Sequence, residues 1–557
     1  MSLLSAAFAF VFLLSLLIFV HELGHFLVAR ACGVRVLKFS LGFGPPVGFG
    51  RYRLAWKRGN TQYVVAWFPI GGFVKMLGEN LDEVDDPEAA AHPSEALNHK
   101  TTWQKLAIVF AGPAMNLLLP VLLFAATLAI GVPRPTPVVG TVEPGGPAAR
   151  AGLQVGDVIR QVGDQPMRWW TDFEDLVRAR PGEALDVAYE RAGEARSARL
   201  EVDERPSFDE FGSRVEVGWI GAAHSRLSAA VGVPSADTPA ARAGLQSGDV
   251  VEAVDGEPVA DWDAFSRAYA AATNASVALT VVRGEGDSAE TRTLEAPALG
   301  QVERLGVVPA SVLVARVEPD SPAQRGGLKQ DDLIVAVDGE AVWSFASFAE
   351  TVRTSEGRSL EIAFARGGEL HRVTIAPELS SMDVGLGIEE PRYLVGISAQ
   401  PRTLIGSVAI DRQANPLISL PRAVGMTVEI THTFLRGLGK FITGEVSHKQ
   451  VAGPIGIAEI TAKAFERGWE TYLSIMVLIS INLGILNLLP IPILDGGQAV
   501  IFAIEGVRRA PLSLRTREIF QQVGFTVLML LMGLAFWNDL SRQWARLLEW
   551  LSAAPGS

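Results

Sequence analysis

The chain has long apolar stretches near both ends and a more polar middle. Four of these stretches approach or exceed the roughly 20 residues that a helix needs to cross the hydrocarbon core of a bilayer. They are approximately Leu3–Val28, Leu106–Ile130, Tyr472–Leu489 and Ile519–Trp537. The pattern predicts a polytopic α-helical membrane protein with about four transmembrane helices and a soluble insert between the second and third.

Basic residues predict the orientation of these spans. Residues 30–75 contain eight Lys or Arg and no Asp or Glu, and four Arg lie between the third and fourth spans. Loops rich in Lys and Arg stay in the cytoplasm. Both termini and the soluble insert are therefore expected on the other side of the membrane.

The insert contains an internal repeat, because a Pro-Ala-x-Arg-x-Gly-Leu pattern recurs with a Gly-Asp or Asp-Asp pair close behind it. The copies begin Pro147–Ile159, Pro239–Val251 and Pro322–Ile334. Each continues into a strand-like run, a turn and a short helical pattern. The copies resemble three PDZ domains in tandem, which implies α+β modules with a sheet edge that accepts peptide termini. Any single copy could instead be a spacer without an open groove.

The sequence His21-Glu22-Leu23-Gly24-His25 interrupts the first apolar stretch. On a helix the two His share one face and can bind one zinc, while Glu22 can act as a general base. Ionisable groups in a span are costly and usually mark function. The alternatives are a chance match or a removable signal peptide, although no Lys or Arg precedes Arg30 to form a basic n-region.

Two His leave one protein ligand of a catalytic zinc site to be found. The third span ends in an irregular stretch with Pro490, Pro492 and a Gly-Gly pair, and Asp495 lies directly before that pair. Proline and glycine predict a broken helix buried in protein. Asp495 is the candidate ligand; its alternative role is to cap the short helix beginning near Gly497.

Several motifs together resemble the site-two proteases, specifically the regulator-of-sigma-E protease type. They are His21–His25, Gly112–Asn116, Gly453–Ala458, Asn482–Asn487, Leu494–Gly497 and Asn538–Arg542. The resemblance implies a Zn²⁺ ion bound by His21, His25 and Asp495, with Glu22 activating water. It also implies that Asn487 holds the substrate backbone or the oxyanion.

The chain departs from its relatives at two places. They usually have His after Asp-Gly-Gly, where this chain has Gln498, so no catalytic role is assigned there. They more often carry two PDZ domains than three.

The family implies an intramembrane zinc metalloprotease that cleaves single-span membrane proteins in regulated intramembrane proteolysis. The expected substrates are an anti-sigma factor or signal-peptide remnants. The expected location is the bacterial inner membrane, with the PDZ domains in the periplasm. One alternative is a catalytically inactive PDZ scaffold that tethers envelope proteins. Another is a membrane-anchored protease of the soluble type, which the charge bias disfavours because it places the His pair near the cytoplasmic end of its span.

Composition narrows these functions further. A net charge of −12 argues against nucleic-acid binding, and Cys32 is the only cysteine, so no intramolecular disulfide can form. The expected domains are residues 1–132 (N-terminal membrane domain), 133–205, 222–298 and 306–380 (PDZ-like), 381–470 (linker and amphipathic helix) and 471–557 (C-terminal membrane domain).

Two smaller elements are expected beside the membrane. Tyr52–Lys57 and Gln62–Trp67 flank a turn and predict a membrane-associated β-hairpin. It would either pair with an extended substrate or anchor aromatic rings at the interface. Leu417–Val446 has the pattern of an interfacial amphipathic helix, and packing against the PDZ array fits it equally well.

Overall fold

The structure is a computed structural model that describes residues 3–49, 52–79, 91–284, 286, 289–383, 389–400, 402–445, 452–510 and 512–553. The chain divides into two compact units. The membrane unit comprises Met1–Val132, Asp383–Glu389 and Arg412–Ser557, and the repeat unit comprises Pro133–Met382 and Glu390–Asp411. Val446, the predicted end of the amphipathic helix, lies outside the described residues.

Fourteen α-helices have bounds within the described residues. They are α1 Leu3–Ala31, α2 Thr102–Ile130, α3 Pro147–Arg150, α4 Trp170–Arg178, α5 Pro239–Arg242, α6 Trp262–Ala271, α7 Val302–Leu305, α8 Pro322–Arg325, α9 Phe345–Thr354, α10 Pro416–Thr443, α11 Pro454–Arg467, α12 Trp469–Leu488, α13 Asp495–Arg508 and α14 Leu514–Ala553.

The β-strands lie mainly in the repeat unit. They are β1 Val36–Pro46, β2 Ala55–Arg58, β3 Thr61–Met76, β4 Val132–Pro135, β5 Thr141–Val142, β6 Val158–Val162, β7 Gln165–Pro166, β8 Ala184–Arg191, β9 Glu194–Glu201, β10 Asp203–Phe208, β11 Arg214–Trp219, β12 Ala222–Ala223, β13 Arg226–Leu227, β14 Val231–Gly232, β15 Val250–Val254, β16 Glu257–Pro258, β17 Ser276–Arg283, β18 Glu290–Pro297, β19 Val308–Pro309, β20 Val314–Val317, β21 Leu333–Val337, β22 Glu340–Ala341, β23 Leu360–Arg366, β24 Glu369–Ile375, β25 Glu378–Asp383, β26 Glu389–Leu394, β27 Ile397–Ala399, β28 Thr403–Leu404 and β29 Val408–Asp411.

Within the described part of the membrane unit, four helices are long and apolar enough to cross a membrane: α1, α2, α12 and α14. Hydrogen bonds fix α12 to two of the others. The Tyr472 hydroxyl donates to the Ala9 carbonyl of α1 over 2.7 Å, and the Ser480 hydroxyl donates to the Asn116 carbonyl of α2 over 2.7 Å. Buried polar groups need such partners. The first, second and third candidate spans therefore have fixed relative positions.

A bent sheet lies between α1 and α2 in the sequence. β2 pairs with the start of β3 across Arg58 and Thr61, as a hairpin does. β1 pairs with both halves of β3, since Phe39 is opposite Tyr63 on one side and Val74 on the other. The second half of β3 is therefore an edge strand among the described residues. The sequence analysis missed β1 and this half of β3, because short apolar runs do not distinguish helix from strand.

The repeat unit contains three sheets with the same order: β7-β6-β8-β9, β16-β15-β17-β18 and β22-β21-β23-β24. We call these modules copy 1, copy 2 and copy 3. Each has its own apolar core, centred on Phe173, Phe265 or Phe348 of the longer helix of that copy. The three sequence repeats thus produce three equivalent modules.

Each copy also contains a buried ion pair at the same position. An aspartate that is at most 1% exposed accepts two hydrogen bonds from one arginine, at 2.7 Å each. The pairs are Asp157–Arg191, Asp249–Arg283 and Asp332–Arg366. The arginine also donates to a carbonyl of the Gly-Leu segment, at Gly152, Gly244 or Gly327. The same ion pair therefore recurs in all three copies. In each copy it holds the repeated loop against the sheet.

Candidate metal centre

His21 and His25 lie one turn apart on α1, on the face that is turned into the protein. Their residues are 9% and 8% exposed, and their Nε2 atoms are 3.2 Å apart. The helical spacing of four residues places both imidazoles on one side of α1. Two nitrogen donors therefore point at a common location.

Asp495 joins these two side chains from the first turn of α13. Its Oδ2 lies 3.1 Å from His21 Nε2, and its Oδ1 lies 3.5 Å from His25 Nε2. One ligand atom from each of the three residues falls within a group no wider than 4.8 Å. The structure thus brings together the three residues that the sequence analysis named as metal ligands.

The backbone before Asp495 explains how it reaches α1. The stretch between α12 and α13 folds tightly, so a Cβ on Gly496 would lie 2.3 Å from the Leu488 carbonyl oxygen. A Cβ on Gly497 would lie 2.2 Å from the Ile491 carbonyl oxygen. Only glycine fits at such distances. The sequence analysis gave helix capping as the alternative role of Asp495. The N-cap of α13 is Leu494, so Asp495 does not have that role.

Two contacts fix the imidazole rings from behind, and the sequence analysis assigned neither. His25 Nδ1 is 2.8 Å from the Ile108 carbonyl oxygen, and His21 Nδ1 is 3.2 Å from Asn116 Nδ2. A metal-binding Nε2 requires a proton on Nδ1 and an acceptor facing it. The Ile108 carbonyl is that acceptor for His25.

Asn116 can be the corresponding acceptor for His21. Its side chain is fully buried, and its Oδ1 has no hydrogen-bond partner among the described residues. Turning the amide by half a turn exchanges Nδ2 with Oδ1 and satisfies both Oδ1 and the His21 N–H. Asn116 lies in the Gly112–Asn116 motif, which was the only sequence signal for this contact.

Glycine allows α2 to approach the two His closely. A Cβ on Gly112 would lie 2.3 Å from His25 Nε2, and a Cβ on Gly24 would lie 2.3 Å from the Ala111 carbonyl oxygen. Any larger residue at either position would push the helices apart. The distance between α1 and α2 is therefore set by the absence of these two side chains.

Glu22 lies beside the His pair and faces the edge half of β3. A Cβ on Gly72 would lie 3.0 Å from Glu22 Cγ, and the Val74 backbone is close enough to interact with the Glu22 carboxylate. Glu22 is partly buried. A carboxylate, three possible ligands and an unpaired strand edge thus share one location.

Comparison with known proteins identifies the family. The model of peptidase family M50 matches residues 9–531. The chain belongs to peptidase family M50. It is 30% identical over 538 residues to the regulator of sigma-E protease RseP of Escherichia coli strain K12, covering 96% of this chain and 98% of that protein. This M50 membership confirms the resemblance drawn from the motifs.

Two further relatives match at similar level. Protease RseP of Yersinia pestis is 30% identical over 549 residues, covering 97% of this chain and 100% of that protein. A protein of Neisseria meningitidis serogroup A, whose name describes it as a zinc metalloprotease, is 31% identical over 551 residues. The latter match covers 96% of this chain and 98% of that protein. M50 membership therefore extends over nearly the whole chain.

The donor set of this M50 chain fits zinc. Two imidazole nitrogens and one carboxylate are ligands that catalytic zinc sites use, with a fourth position left for water or substrate. Among the described residues, the Asp495 carboxylate forms ion pairs with two imidazoles and with no Lys or Arg. A bound dication would supply the positive charge that a buried carboxylate needs.

The sequence analysis also considered Asn487, as a substrate-binding residue, and Gln498, without a catalytic role. Asn487 is partly buried in the last turn of α12, and its side chain forms no hydrogen bond with another described residue, so its role in substrate binding stays a prediction. Gln498 is exposed on α13.

Proposed function

We propose that this chain is an active zinc endopeptidase that cuts transmembrane segments of single-span membrane proteins. One observation carries the proposal: His21, His25 and Asp495 offer three ligand atoms within 4.8 Å. The two His and the neighbouring Glu22 lie on α1, which is apolar enough to cross a membrane. Membership of peptidase family M50 supports it. A catalytically inactive scaffold would need neither the general base nor the three converging ligands.

Each polar residue of the site has a role in this proposal. His21, His25 and Asp495 hold the metal, with Ile108 and Asn116 orienting the two rings. Bound zinc would act as a Lewis acid toward the peptide carbonyl and make a water easier to deprotonate. Glu22 takes a proton from that water and returns it to the leaving amine. Asn487 holds the substrate backbone or the oxyanion, as the family resemblance implies.

The edge half of β3 is proposed to hold the substrate in an extended form. A helical transmembrane segment hides its carbonyls in its own hydrogen bonds, so it must unwind before it can be cut. Strand addition to an unpaired edge provides the lost hydrogen bonds. Gly72 and Val74 place this edge against Glu22. The exposed Trp56, Trp67 and Phe68 would keep the hairpin at the membrane surface.

The location and substrates are proposed from charge and family. We propose that the chain lies in a bacterial inner membrane with the three copies in the periplasm, and the basic loops support this orientation. Two relatives carry the name regulator of sigma-E protease or RseP. We therefore propose an anti-sigma factor or signal-peptide remnants as substrates, with PDZ-like copies that bind peptide termini.

The test is cleavage of a model single-span substrate in detergent by the wild type and Glu22→Gln, with zinc measured in both. Glu22→Gln should retain zinc and lose cleavage by at least about a thousandfold, because the general base is missing. Glu470→Gln, an exposed residue at the start of α12, is the matched control and should keep full activity. Zinc in neither protein, with no cleavage, would contradict the proposal and favour a scaffold.

A further inference from the structure

The three copies end in the same local structure. A glycine with positive φ comes before a short strand: Gly221 (66°), Gly306 (84°) or Gly396 (82°). The strands that follow are β12, β19 and β27, and each pairs with the opening strand of its own copy. Counting three residues from the glycine gives His224, Pro309 and Ala399. These three residues are equivalent positions on one edge of each copy.

In copies 2 and 3, the main-chain amide and carbonyl groups at this position point away from the strand with which it pairs. Pro309 is opposite Val231, whose N–H and C=O both bond to the loop at Asp249 and Gly248. Ala399 is opposite Val314, whose N–H and C=O likewise bond to the loop at Asp332 and Asp331.

The next residue along confirms this direction. Ala310 N–H donates inward to the Ala230 carbonyl, and Gln400 N–H donates inward to the Leu313 carbonyl. Successive residues of a strand alternate in direction. The amide positions of Pro309 and Ala399 therefore point to the edge that no described strand covers.

The same edge has a different character in each copy. Proline has no N–H, so Pro309 removes a donor that an added strand would need. In copy 1 a later segment of the chain packs on His224, because a Cβ on Gly406 would lie 2.2 Å from the His224 carbonyl oxygen and 2.5 Å from its Nε2. In copy 3, Ala399 keeps its N–H, and no described residue pairs with this edge of β27.

We propose that copy 3 alone accepts an added peptide strand, along β27, and that Pro309 closes copy 2 to it. This inference rests on the proposed peptide binding by the PDZ-like copies. The occupant is an extended segment of another polypeptide, because an edge of alternating N–H and C=O groups is complementary to another strand. Ile397 and Phe345 are both partly buried and each packs against the copy 3 core, so they provide apolar surface for one of its side chains. Copy 2 then serves as a spacer.

The proposal is tested with the full chain in detergent. The probe is a pool of fluorescein-labelled ten-residue peptides of random sequence with a free C-terminal carboxylate. Ala399→Pro should weaken binding at least about tenfold, since a lost main-chain hydrogen bond and a ring clash act together. Ala399→Ser keeps the N–H and should bind like the wild type. Hydrogen exchange should show peptide protection on β27 and not on β19.

A variant that exchanges the two residues distinguishes a blocked strand edge from misfolding of copy 3. The double variant Pro309→Ala/Ala399→Pro should regain binding, with protection moved to β19. Unchanged affinity in Ala399→Pro, protection on β19 in the wild type, or no binding of the pool to the wild type would each overturn the proposal. Zinc content and cleavage, measured on the same preparations, test the proposed function separately.

Discussion

Carboxylates that are buried or partly buried have different partners in the two units. In the repeat unit Asp157, Asp249 and Asp332 each accept two hydrogen bonds from an arginine and one from a backbone N–H. In the membrane unit Asp495 faces the Nε2 atoms of two imidazoles. Removing a charge from water requires a compensating charge. The three repeat aspartates have a compensating arginine within the chain, whereas a bound cation would compensate the charge of Asp495.

Asp539 shows that a carboxylate in the membrane unit can also have a purely structural role. Its buried carboxylate accepts from the backbone N–H groups of Gly453, Ile455 and Gly456 at 2.9 to 3.1 Å and from Arg542 at 2.8 Å. This fully satisfied group fixes the N-terminus of α11 to α14. A buried carboxylate is thus structural where backbone and arginine donors satisfy it, and a candidate ligand where only imidazoles face it.

Replacing the carboxylate of the candidate metal site should have the largest effect. Asp495→Asn removes the only negative ligand, so zinc content should fall to background and cleavage by at least about a thousandfold. Metal analysis and the single-span substrate assay measure both. Retention of stoichiometric zinc by Asp495→Asn would show that the metal is bound elsewhere.

The same substitution in a repeat should affect stability and leave zinc unchanged. Asp249→Asn removes one partner of a buried pair, and we expect a local loss of about 2 to 3 kcal/mol in the opening free energy of copy 2. Hydrogen exchange of the β15 amides measures this loss. Glu290→Gln, at an exposed pair with Arg292, is the control and should leave this exchange unchanged. Lower zinc content in Asp249→Asn would break the distinction between the two kinds of carboxylate.

The sequence predicts local patterns of this molecule better than contacts between distant segments. The spacing of His21 and His25 is a local helical property, and the repeats were visible as copies of one pattern. Asp495 could be named only through the broken span and the family resemblance. The contact of His25 with the Ile108 carbonyl depends on how closely α1 and α2 approach, which Gly24 and Gly112 determine. No periodicity in a single sequence encodes that approach.

The edge half of β3 was beyond sequence reasoning for a related reason. Its register is set by β1, which lies between the two halves of β3 and was not predicted. The predicted hairpin strands ended at Trp67, so the edge at Gly72 and Val74 was missed. Strand partners separated by a bend follow from tertiary packing and not from local propensity.

Removing the contact behind His21 should have the smallest effect of the three. Asn116→Leu keeps a similar side-chain volume but leaves His21 Nδ1 without an acceptor, so zinc affinity should fall about tenfold. Asn116→Asp keeps an acceptor oxygen and should restore most of this affinity. Ser480→Ala removes the bond to the Asn116 carbonyl without touching His21 and should bind zinc like the wild type. Competition with a chromogenic chelator measures all three. Equal affinities in the wild type and Asn116→Leu would show that ring orientation by Asn116 does not contribute, and that Asp495 with the two His suffices.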